Sequence, residues 1–335
     1  MRCSVIILNW NGAAMLRQYL PSVIAYTQTE GVETVVADNG STDDSIEVLE
    51  RDFPTVRTIK LDRNYGFAAG YNLALDQTDS RYTVLLNSDV EVTEGWLDSL
   101  LDYMDTHPQT AACQPKILSY RHKESFEYAG AAGGKIDRLG YPFCRGRVLG
   151  HIEKDNGQYA TDDNLFWASG ACLCVRTDLY KTIGGLDADF FAHMEEIDLC
   201  WRMLCGGWKI AAVTSSTVYH LGGGSLSYES PRKTFLNFRN NLLMLYKNLP
   251  DDKLRSVMRW RMLLDYAAAL HLLLAGRFQN AKAVFDARSE YKKLTKQSSW
   301  QNKRQNNIKR AIVPYPGTIA DRSILWDYYF RRMRK

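Results

Sequence analysis

The stretch CSVIILNWNG (residues 3–12) decides the fold of the N-terminal half, because a short β-branched run ends in polar residues and a glycine. Cys3–Leu8 is predicted to be a buried strand. Apolar residues at helical spacing follow over Gly12–Ala25, and the next β-branched run, Thr34–Ala37, predicts a second strand. A strand, a helix and a strand in succession favour a parallel pair of strands joined by a helical crossover.

The alternation of strands and helices continues to about residue 107. The further predicted segments are helix Ser45–Asp52, strand Val56–Leu61, helix Gly66–Asp76, strand Tyr82–Leu86 and a helix capped by Thr93. This order predicts an α/β fold with a mostly parallel sheet and helices on both faces. Ligands of such sheets collect at the carboxyl ends of the strands, so functional side chains are expected immediately after each strand.

The pattern changes twice in the rest of the chain. Residues 120–165 are loose and rich in glycine and polar residues, and we expect an irregular excursion that covers the site. The remaining predicted elements are strand Leu165–Arg176, helix Glu195–Cys205, strand Trp208–Val213 and, after Pro231, helices Phe235–Leu249, Lys253–Leu274 and Arg277–Lys293.

Charge is distributed unevenly along the 335 residues. The net charge of +4 divides into −12 over residues 1–230 and +16 over residues 231–335. Aromatic residues at 328–330 precede the cations of the segment 331–335, a combination typical of the interface of an anionic bilayer. The C-terminal region is therefore predicted to contact an anionic membrane peripherally, with a solvated helical face as the alternative. No nucleic-acid-binding motif accompanies the charge, so nucleic acid is not an expected partner.

Cysteine spacing and apolar runs favour a cytoplasmic protein. The seven cysteines have no metal-binding spacing and are predicted to be reduced core residues. The N-terminal apolar run is too short for a signal peptide. The run Met262–Ala275 is interrupted by Asp265 and His271, so no transmembrane helix is predicted. Any membrane contact is expected at the inner face of the cell membrane.

Acids and amides follow the strands at four places in the chain. The four segments are Leu8–Gly12, Asp38–Asp43, Asp62–Phe67 and Asn87–Glu91. An Asp at a strand end can bind a base or a ribose hydroxyl. An acidic residue beside bound phosphates usually acts through a divalent cation.

Seven segments in register make the chain resemble the family 2 glycosyltransferases of the GT-A fold, closest to the rhamnosyltransferase-like and galactofuranosyltransferase-like branch. The matching segments are VIILNWNG (5–12), DNGSTDDS (38–45), RNYGFAAGYN (63–72), LLNSDVEV (85–92), WASGACLCVR (167–176), GGLDADFFAHMEEIDLCWR (184–202) and VYHLGGGS (218–225). They cover about residues 3–250. The resemblance implies a GT-A catalytic domain over 1–230, with a donor-binding half at 1–115 and an acceptor half at 116–230, followed by a basic helical region at 231–335.

The resemblance also implies a role for individual residues. The nucleotide-sugar-binding residues are Asn9, Asn11, Asp38, Arg63, Asn64, Gly66, Asn87 and Ser88, the Mg²⁺ or Mn²⁺ ligands are Asp89 and His220, and the catalytic base is Glu196 with Glu195 as its substitute. The sequence departs from the family at two of these positions. The first acid of the DxD motif is Asn87, and the second member of the Glu-Asp pair is Glu196.

The implied reaction is a metal-dependent inverting transfer from dTDP-rhamnose or a UDP-sugar to a saccharide acceptor. We expect that acceptor to be lipid-linked and to belong to cell-surface polysaccharide synthesis. Inversion needs a carboxylate that accepts the proton of the acceptor hydroxyl. It also needs a positive charge near the diphosphate that leaves.

Structural roles and other functions remain open for these residues. Asp38 suits a turn, Asp89 a strand-end cap, His220 a loop, and Glu195 and Glu196 a helix N-terminus. A nicotinamide-dependent oxidoreductase would need GxGxxG directly after the first strand, and residues 9–12 do not match it. A non-catalytic nucleotide-sugar-binding protein of the same fold is the other alternative.

Overall fold

The computed structural model of the chain describes residues 1–222 and 230–331. Its strands are β1 (Cys3–Asn9), β2 (Val32–Asp38), β3 (Arg57–Lys60), β4 (Tyr82–Asn87), β5 (Val90–Val92), β6 (Thr110–Ser119), β7 (Gly134–Asp137), β8 (Pro142–Cys144), β9 (Arg147–Val148), β10 (His151–Ile152), β11 (Cys172–Arg176), β12 (Lys209–His220) and β13 (Ile319–Ala320). Its α-helices are α1 (Ala13–Tyr26), α2 (Ser45–Asp52), α3 (Gly66–Leu75), α4 (Trp96–Thr106), α5 (Thr177–Ile183), α6 (Glu195–Cys205), α7 (Pro231–Asn248), α8 (Asp251–Leu274), α9 (Phe278–Leu294), α10 (Ser298–Arg310) and α11 (Ile324–Tyr329). A 3₁₀ turn spans Ala188–Phe190.

An eight-stranded sheet forms the centre of the molecule, in the order β3-β2-β1-β4-β11-β6-β12-β5. The strands β1, β2, β3 and β4 are parallel, as predicted. In contrast, β11 runs antiparallel between β4 and β6. The register places Asn9 beside Asp38 and Leu8 beside Asn87. The polar ends of β1, β2 and β4 therefore lie at one edge of the sheet.

Helices cover both faces of this sheet, as the alternation predicted. Successive residues of β1 enter opposite layers, with Ile6 in one apolar cluster and Val5 and Ile7 in the other. Tyr71 of α3 lies in the first cluster, and Leu16 of α1 lies in the second. Because β1 is buried on both sides, its sequence is a continuous apolar run instead of an alternating one.

The segment 120–165 is mostly irregular, as predicted, but it also contains short strands that the sequence interpretation missed. Strands β7, β8, β9 and β10 lie in this range and form a second sheet with β13, in the order β10-β9-β8-β7-β13. The strand β13 comes from the C-terminal region and runs parallel to β7. That region is consequently not purely helical. Strands of two to four residues are too short to show alternation in the sequence.

Three predicted boundaries also need correction. The strand predicted at 165–176 begins only at Cys172, and the residues before it form a bend in which Trp167 makes an isolated bridge to Gly134. Helix α4 begins at Trp96 instead of being capped by Thr93, because the Thr93 hydroxyl donates to the carbonyl of Thr217 at 2.7 Å. The strand predicted at 208–213 continues as β12 to residue 220 past a register shift.

The C-terminal region packs against the body through several contacts. Trp300 of α10 is buried and lies 6.1 Å from the ring of Phe190, and the backbone amides of Ile312 and Val313 donate to the carbonyl of Cys205. The predicted division at residue 230 stays a prediction. All seven cysteines are buried free thiols. Among the helices that the structure describes, none has both the length and the apolar character to cross a membrane.

Candidate active site

Two strand ends form the first part of the predicted donor site. Asn9 ends β1 and Asp38 ends β2, and both side chains are buried. The Asn9 Nδ2 donates to Asp38 Oδ2 at 3.1 Å, and the backbone amide of Ser41 donates to Asp38 Oδ1 at 2.9 Å. Asp38 therefore does organise a turn. The Asn9 Oδ1 is buried and has no hydrogen-bond partner among the described residues.

Asn11 joins the loop after β1 to the loop after β2. The side-chain Oδ1 of Asn11 accepts a hydrogen bond from the backbone N–H of Thr42 at 2.7 Å, and the backbone N–H of Asn11 donates to Ser41 Oγ at 2.9 Å. A Cβ at Gly12 would overlap Asn9 Oδ1, so any larger residue here would displace the Asn9 side chain. The two loops are thus held together beside Asp38.

Asn39 holds the third loop of the donor site, and the sequence interpretation missed it. Its Nδ2 donates to Asn64 Oδ1 at 3.2 Å and to the Gly66 carbonyl at 3.0 Å, and its Oδ1 accepts from the Tyr65 amide at 3.0 Å. Its place directly after Asp38 was the available signal. Arg63 is exposed and lies 4.8 Å from the centre of the Tyr65 ring.

The predicted metal ligands meet at the next strand end. His220 Nε2 lies 3.1 Å from Asp89 Oδ1 and 3.4 Å from Asn87 Nδ2, while half-buried Ser88 separates the two residues along the chain. The other ring nitrogen, Nδ1, lies 3.5 Å from Oε2 of buried Glu127. Burial lowers the pKa of His220, but the two carboxylates outweigh burial and raise that pKa to about 10.

The Asp89–His220 pair could bind a divalent cation after the ion displaces the Nε2 proton of His220, because only a deprotonated ring nitrogen binds a metal. Adjacent ligands of an octahedral Mg²⁺ with bonds of about 2.1 Å lie about 3 Å apart, close to the separation of these two atoms. Within the described ranges, no three His, Cys, Asp or Glu side chains are placed to hold an ion. Mg²⁺ commonly takes one or two protein ligands and completes its shell with substrate phosphates and water. Glu127 behind the imidazole is the usual partner of a metal-binding histidine.

The predicted catalytic pair begins α6. Glu195 is buried and Glu196 is half-buried, and the Oε2 atoms of both lack a hydrogen-bond partner among the described residues. Burial raises the pKa of Glu196 to about 7. Burial, and then the charge of Glu196, raises the pKa of Glu195 above its ordinary range. A carboxyl that titrates near neutral pH is suited to proton transfer.

A turn of small residues connects the catalytic pair to the metal pair. A Cβ at Gly170 would lie 3.8 Å from the Cβ of Glu196 and 3.2 Å from the ring of Phe67. The next residue, Ala171, accepts a hydrogen bond at its carbonyl from the Asn87 amide at 3.0 Å. Glu196 therefore lies across Gly170 from the start of the Asn87–Asp89 segment.

A left-handed turn precedes the catalytic pair. Phe191, His193 and Met194 have φ angles of 63°, 71° and 75°, a conformation that residues other than glycine rarely adopt. Buried Asn240 of α7 holds this turn. Its Nδ2 lies within hydrogen-bonding distance of three carbonyls, which belong to Phe190 (2.9 Å), Ala192 (2.8 Å) and His193 (2.8 Å). Such clustering of unusual φ angles is typical of functional sites.

The same turn supports the donor loop. The Phe67 amide donates to the Phe191 carbonyl at 2.8 Å. Gly66 has a φ of 78°, and a Cβ there would lie 2.5 Å from the Phe191 ring. The loop predicted to bind the donor and the helix that carries the predicted catalytic pair are consequently fixed relative to each other.

A cavity of about 700 Å³ lies apart from these residues, between the second sheet and the segment 317–322. Its lining includes Lys135, Phe143, Arg145 and Tyr159. None of the predicted site residues lines it. The motif at 218–225 extends beyond the described residues at 223–225, as does the basic segment at 332–335.

Solved structures similar to this chain are GT-A glycosyltransferases, which confirms the expected fold. One is GalNAc-T7 with UDP, GalNAc and Mn²⁺, at a TM-score of 0.60 and 14% identity, covering 99% of this chain and 57% of that one. Another is the mannosyltransferase PcManGT from Pyrobaculum calidifontis with GDP-Man and Mn²⁺, at a TM-score of 0.54 and 13% identity, covering 93% of this chain and 86% of that one.

Comparison with known sequences gives the family. The N-acetylglucosaminyl-diphospho-decaprenol L-rhamnosyltransferase of Mycobacterium tuberculosis is 24% identical over 83% of this chain and 94% of its own length. The low-salt glycan biosynthesis hexosyltransferase Agl10 of Haloferax volcanii is 23% identical over 72% of this chain and 74% of its own length. The model of Glycosyl transferase family 2 matches residues 4–184, more than half of the chain. This protein is therefore a glycosyltransferase that belongs to Glycosyl transferase family 2.

Proposed function

We propose that this enzyme transfers a sugar, with inversion, from dTDP-rhamnose or a UDP-sugar to a lipid-linked saccharide in cell-surface polysaccharide synthesis. The observation that carries the proposal is the meeting of three groups at one sheet edge. These groups are the Asn9–Asp38 pair, the Asp89–His220 pair and Glu196. The name of the mycobacterial relative, a lipid-diphosphate rhamnosyltransferase, supports the choice of donor and acceptor.

Glu196 acts as the general base in this proposal. Its carboxylate takes the proton of an acceptor hydroxyl while the hydroxyl oxygen forms a bond to the anomeric carbon. The bond from that carbon to the diphosphate breaks, and its electron pair leaves with the nucleoside diphosphate. Because the new bond forms opposite the old one, the anomeric configuration inverts. Glu195 is the substitute base, although its deeper burial disfavours the charged form.

The donor is bound by the loops at the carboxyl ends of β1, β2 and β4. Asn9 and Asp38 offer an amide oxygen and a carboxylate for the base and ribose, and Asn11 shapes their loop. Arg63, Asn64 and Gly66 form the next wall. Asp89 and His220 would hold Mg²⁺ or Mn²⁺, which neutralises charge on the departing diphosphate when bound.

We also propose which part of the chain binds each substrate and where in the cell the enzyme acts. Residues 1–230 form the catalytic domain, with the donor bound by 1–115 and the acceptor by 116–230. The basic region 231–335 contacts the anionic inner face of the cell membrane, where a lipid-linked acceptor is available. The enzyme is then cytoplasmic and peripheral, and nucleic acid is not a partner.

A donor screen tests the proposal. Full-length protein with Mg²⁺ or Mn²⁺ is offered dTDP-, UDP- and GDP-sugars, and the release of nucleoside diphosphate is followed. We expect release from one donor that is lost with EDTA, in Glu196→Gln and in Asp89→Ala. Glu94→Gln removes an exposed carboxylate before α4 and is the matched control. Tight binding of a donor without release, even with lipid-linked saccharide present, would favour the non-catalytic alternative.

A further inference from the structure

Helix α8 exposes large apolar side chains and buries charged ones, the reverse of the usual arrangement in a water-soluble domain. Trp260, Leu263 and Leu270 are each 58% exposed, and Leu274 is 81% exposed. The spacing of these residues places them on one side of the helix. Exposed Phe278, at the start of α9, continues the same apolar sequence. We name the surface formed by these five residues the α8 apolar face.

The opposite side of α8 is polar and points inward. Arg261 is 2% exposed and Asp265 is fully buried. Asp265 pairs with Arg261 at 3.3 Å and with Arg288 of α9 at 2.5 Å. Arg261 also lies 4.1 Å from the centre of the ring of Tyr141, which directly precedes β8 of the second sheet. These buried charges orient α8 on the body, so its apolar side is turned outward by the fold itself.

Cations predominate along α8 and the beginning of α9, between exposed Asp252 and exposed Asp286. Asp265 is the sole acidic residue among residues 253–285, all of which the structure describes, and it is buried. The same segment carries exposed cations on the helix, including Lys253, Arg255 and Arg259. A contiguous apolar surface flanked mainly by cations is complementary to anionic lipid. Trp260 adds the aromatic side chain that favours the headgroup level.

We propose that the α8 apolar face inserts into the interfacial layer of an anionic membrane and thereby anchors the enzyme beside its acceptor. The proposal deepens the proposed function and rests on it for the nature of the acceptor. It assigns insertion to named side chains of α8 and the beginning of α9, whereas the charge pattern of the sequence concerned the basic region as a whole. From the sequence, the helix over 260–274 was expected either to lie on a membrane or to pack against the body.

Flotation of the full-length protein with lipid vesicles tests the proposal. Vesicles of phosphatidylglycerol and phosphatidylcholine are compared with phosphatidylcholine alone. We expect recovery on the anionic vesicles, and a fall in the partition coefficient of about tenfold or more for Leu263→Ser/Leu270→Ser, because two apolar side chains leave the lipid. Leu73→Ser/Ile152→Ser, at exposed apolar positions elsewhere, is the matched control and is expected to float like the wild type. Arg255→Gln/Arg259→Gln is expected to reduce recovery on anionic vesicles most strongly at low salt.

Equal recovery of the wild type and Leu263→Ser/Leu270→Ser would overturn the proposal, as would failure of the wild type to float. Light scattering tests whether a second copy of this chain covers the α8 apolar face instead of lipid. A dimer that the same double variant dissociates, without vesicle binding, would assign the face to self-association and overturn the proposal. Nucleoside diphosphate release from the soluble donor separates the two proposals, because it is expected to be unchanged in Leu263→Ser/Leu270→Ser. Flotation without any donor turnover would reject the proposed function and leave the membrane contact standing.

Discussion

The Nε2 of His220 lies 3.1 Å from Oδ1 of Asp89, on the side of the ring away from Glu127. The imidazole is thus fixed between two carboxylates, one at the end of the main sheet and one in the segment after β6. Nε2 is within hydrogen-bonding distance of Asp89, whereas Nδ1 lies at the longer ion-pair distance of 3.5 Å from Glu127. A histidine in this position is oriented before any ion arrives.

Replacement of Glu127 is expected to weaken metal binding without a direct contact to the ion. Removing the carboxylate behind a metal-binding histidine typically lowers affinity by about 10–100-fold. We expect Mn²⁺ affinity, measured by electron paramagnetic resonance with nucleoside diphosphate present, to fall in Glu127→Gln and to fall further in Glu127→Ala. Glu153→Gln, a carboxylate beyond β10, is the control. Unchanged Mn²⁺ affinity in Glu127→Ala would contradict the role of this carboxylate.

The rate of transfer is expected to rise with pH through about 7. Burial raises the pKa of Glu196 to about 7, and only the deprotonated carboxylate accepts the proton of the acceptor. Glu196→Gln should lower kcat by about 10²–10⁴-fold and abolish this rise. A pH–rate profile of the wild type with a midpoint near the ordinary pKa of a glutamate would count against Glu196 as the base.

The raised pKa of Glu196 also predicts how stability depends on pH. The contribution of Glu196 to the free energy of unfolding falls as the pH rises, whereas the rate of transfer rises. The folded protein keeps the Glu196 proton between pH 4.5 and about 7, whereas the unfolded chain has released it. The contribution of this group to folding is therefore favourable at low pH and is lost as the pH rises through about 7. We expect the Tm of Glu196→Gln to exceed that of the wild type at pH 8 and the difference to shrink at pH 5. Thermal unfolding of both proteins at the two pH values measures this difference in Tm. The same difference at pH 5 and pH 8 would contradict the raised pKa of Glu196.

Substitution of Asn240 is expected to release the turn before the catalytic pair. Asn240→Ala removes the two N–H donors that the carbonyls of Phe190, Ala192 and His193 share. Among the described residues, only the Phe190 carbonyl keeps other donors, from Arg239 at 3.3 Å and from the Ala192 amide at 2.7 Å. We expect this loss to cost about 1–3 kcal/mol in the free energy of unfolding. Because the turn carries Glu195 and Glu196, we expect kcat to fall more than the KM for the donor changes. Asn307→Ala removes a hydrogen bond to Asn248 at 2.9 Å and is the control for stability alone. A loss of stability with an unchanged kcat would restrict Asn240 to a structural role.

Gly66 and Gly95 form a matched pair for separating backbone strain from close packing. Both have φ angles near 70–80°, but a Cβ at Gly66 meets the Phe191 ring at 2.5 Å and a Cβ at Gly95 meets no atom within 4 Å. Gly95→Ala is expected to cost only the left-handed strain of about 1–2 kcal/mol. Gly66→Ala should cost more and raise the KM for the donor. Equal effects of the two substitutions on unfolding and on donor KM would show that the contact with Phe191 is unimportant.

Local patterns in the sequence predicted some elements well and others poorly. Helices Ser45–Asp52 and Glu195–Cys205 were predicted at the residues where they occur, because acids and apolar spacing mark them locally. The strand ends carrying Asn9 and Asp38 followed from the alternation of elements. Asn39 was identifiable from its motif and was overlooked.

Other parts of the site depend on contacts between distant segments. Glu127 meets His220, and Asn240 meets the turn before Glu195, only after the sheet and α7 are assembled. Neither residue stands in a local pattern that marks its role. The α8 apolar face was visible as an apolar run, but its orientation depends on buried Asp265. Residue spacing alone does not show which side of a helix a protein buries.

The pairing of β13 with β7 has a consequence for how the chain is made. The residues of β13 are Ile319 and Ala320, whereas β7 spans Gly134–Asp137. During synthesis, β1 to β4 can assemble while the ribosome is still translating the second half of the chain. The second sheet cannot close until residues 319–320 have been synthesised. A nascent chain that stops before residue 319 therefore leaves the edge of β7 open to pairing with another strand.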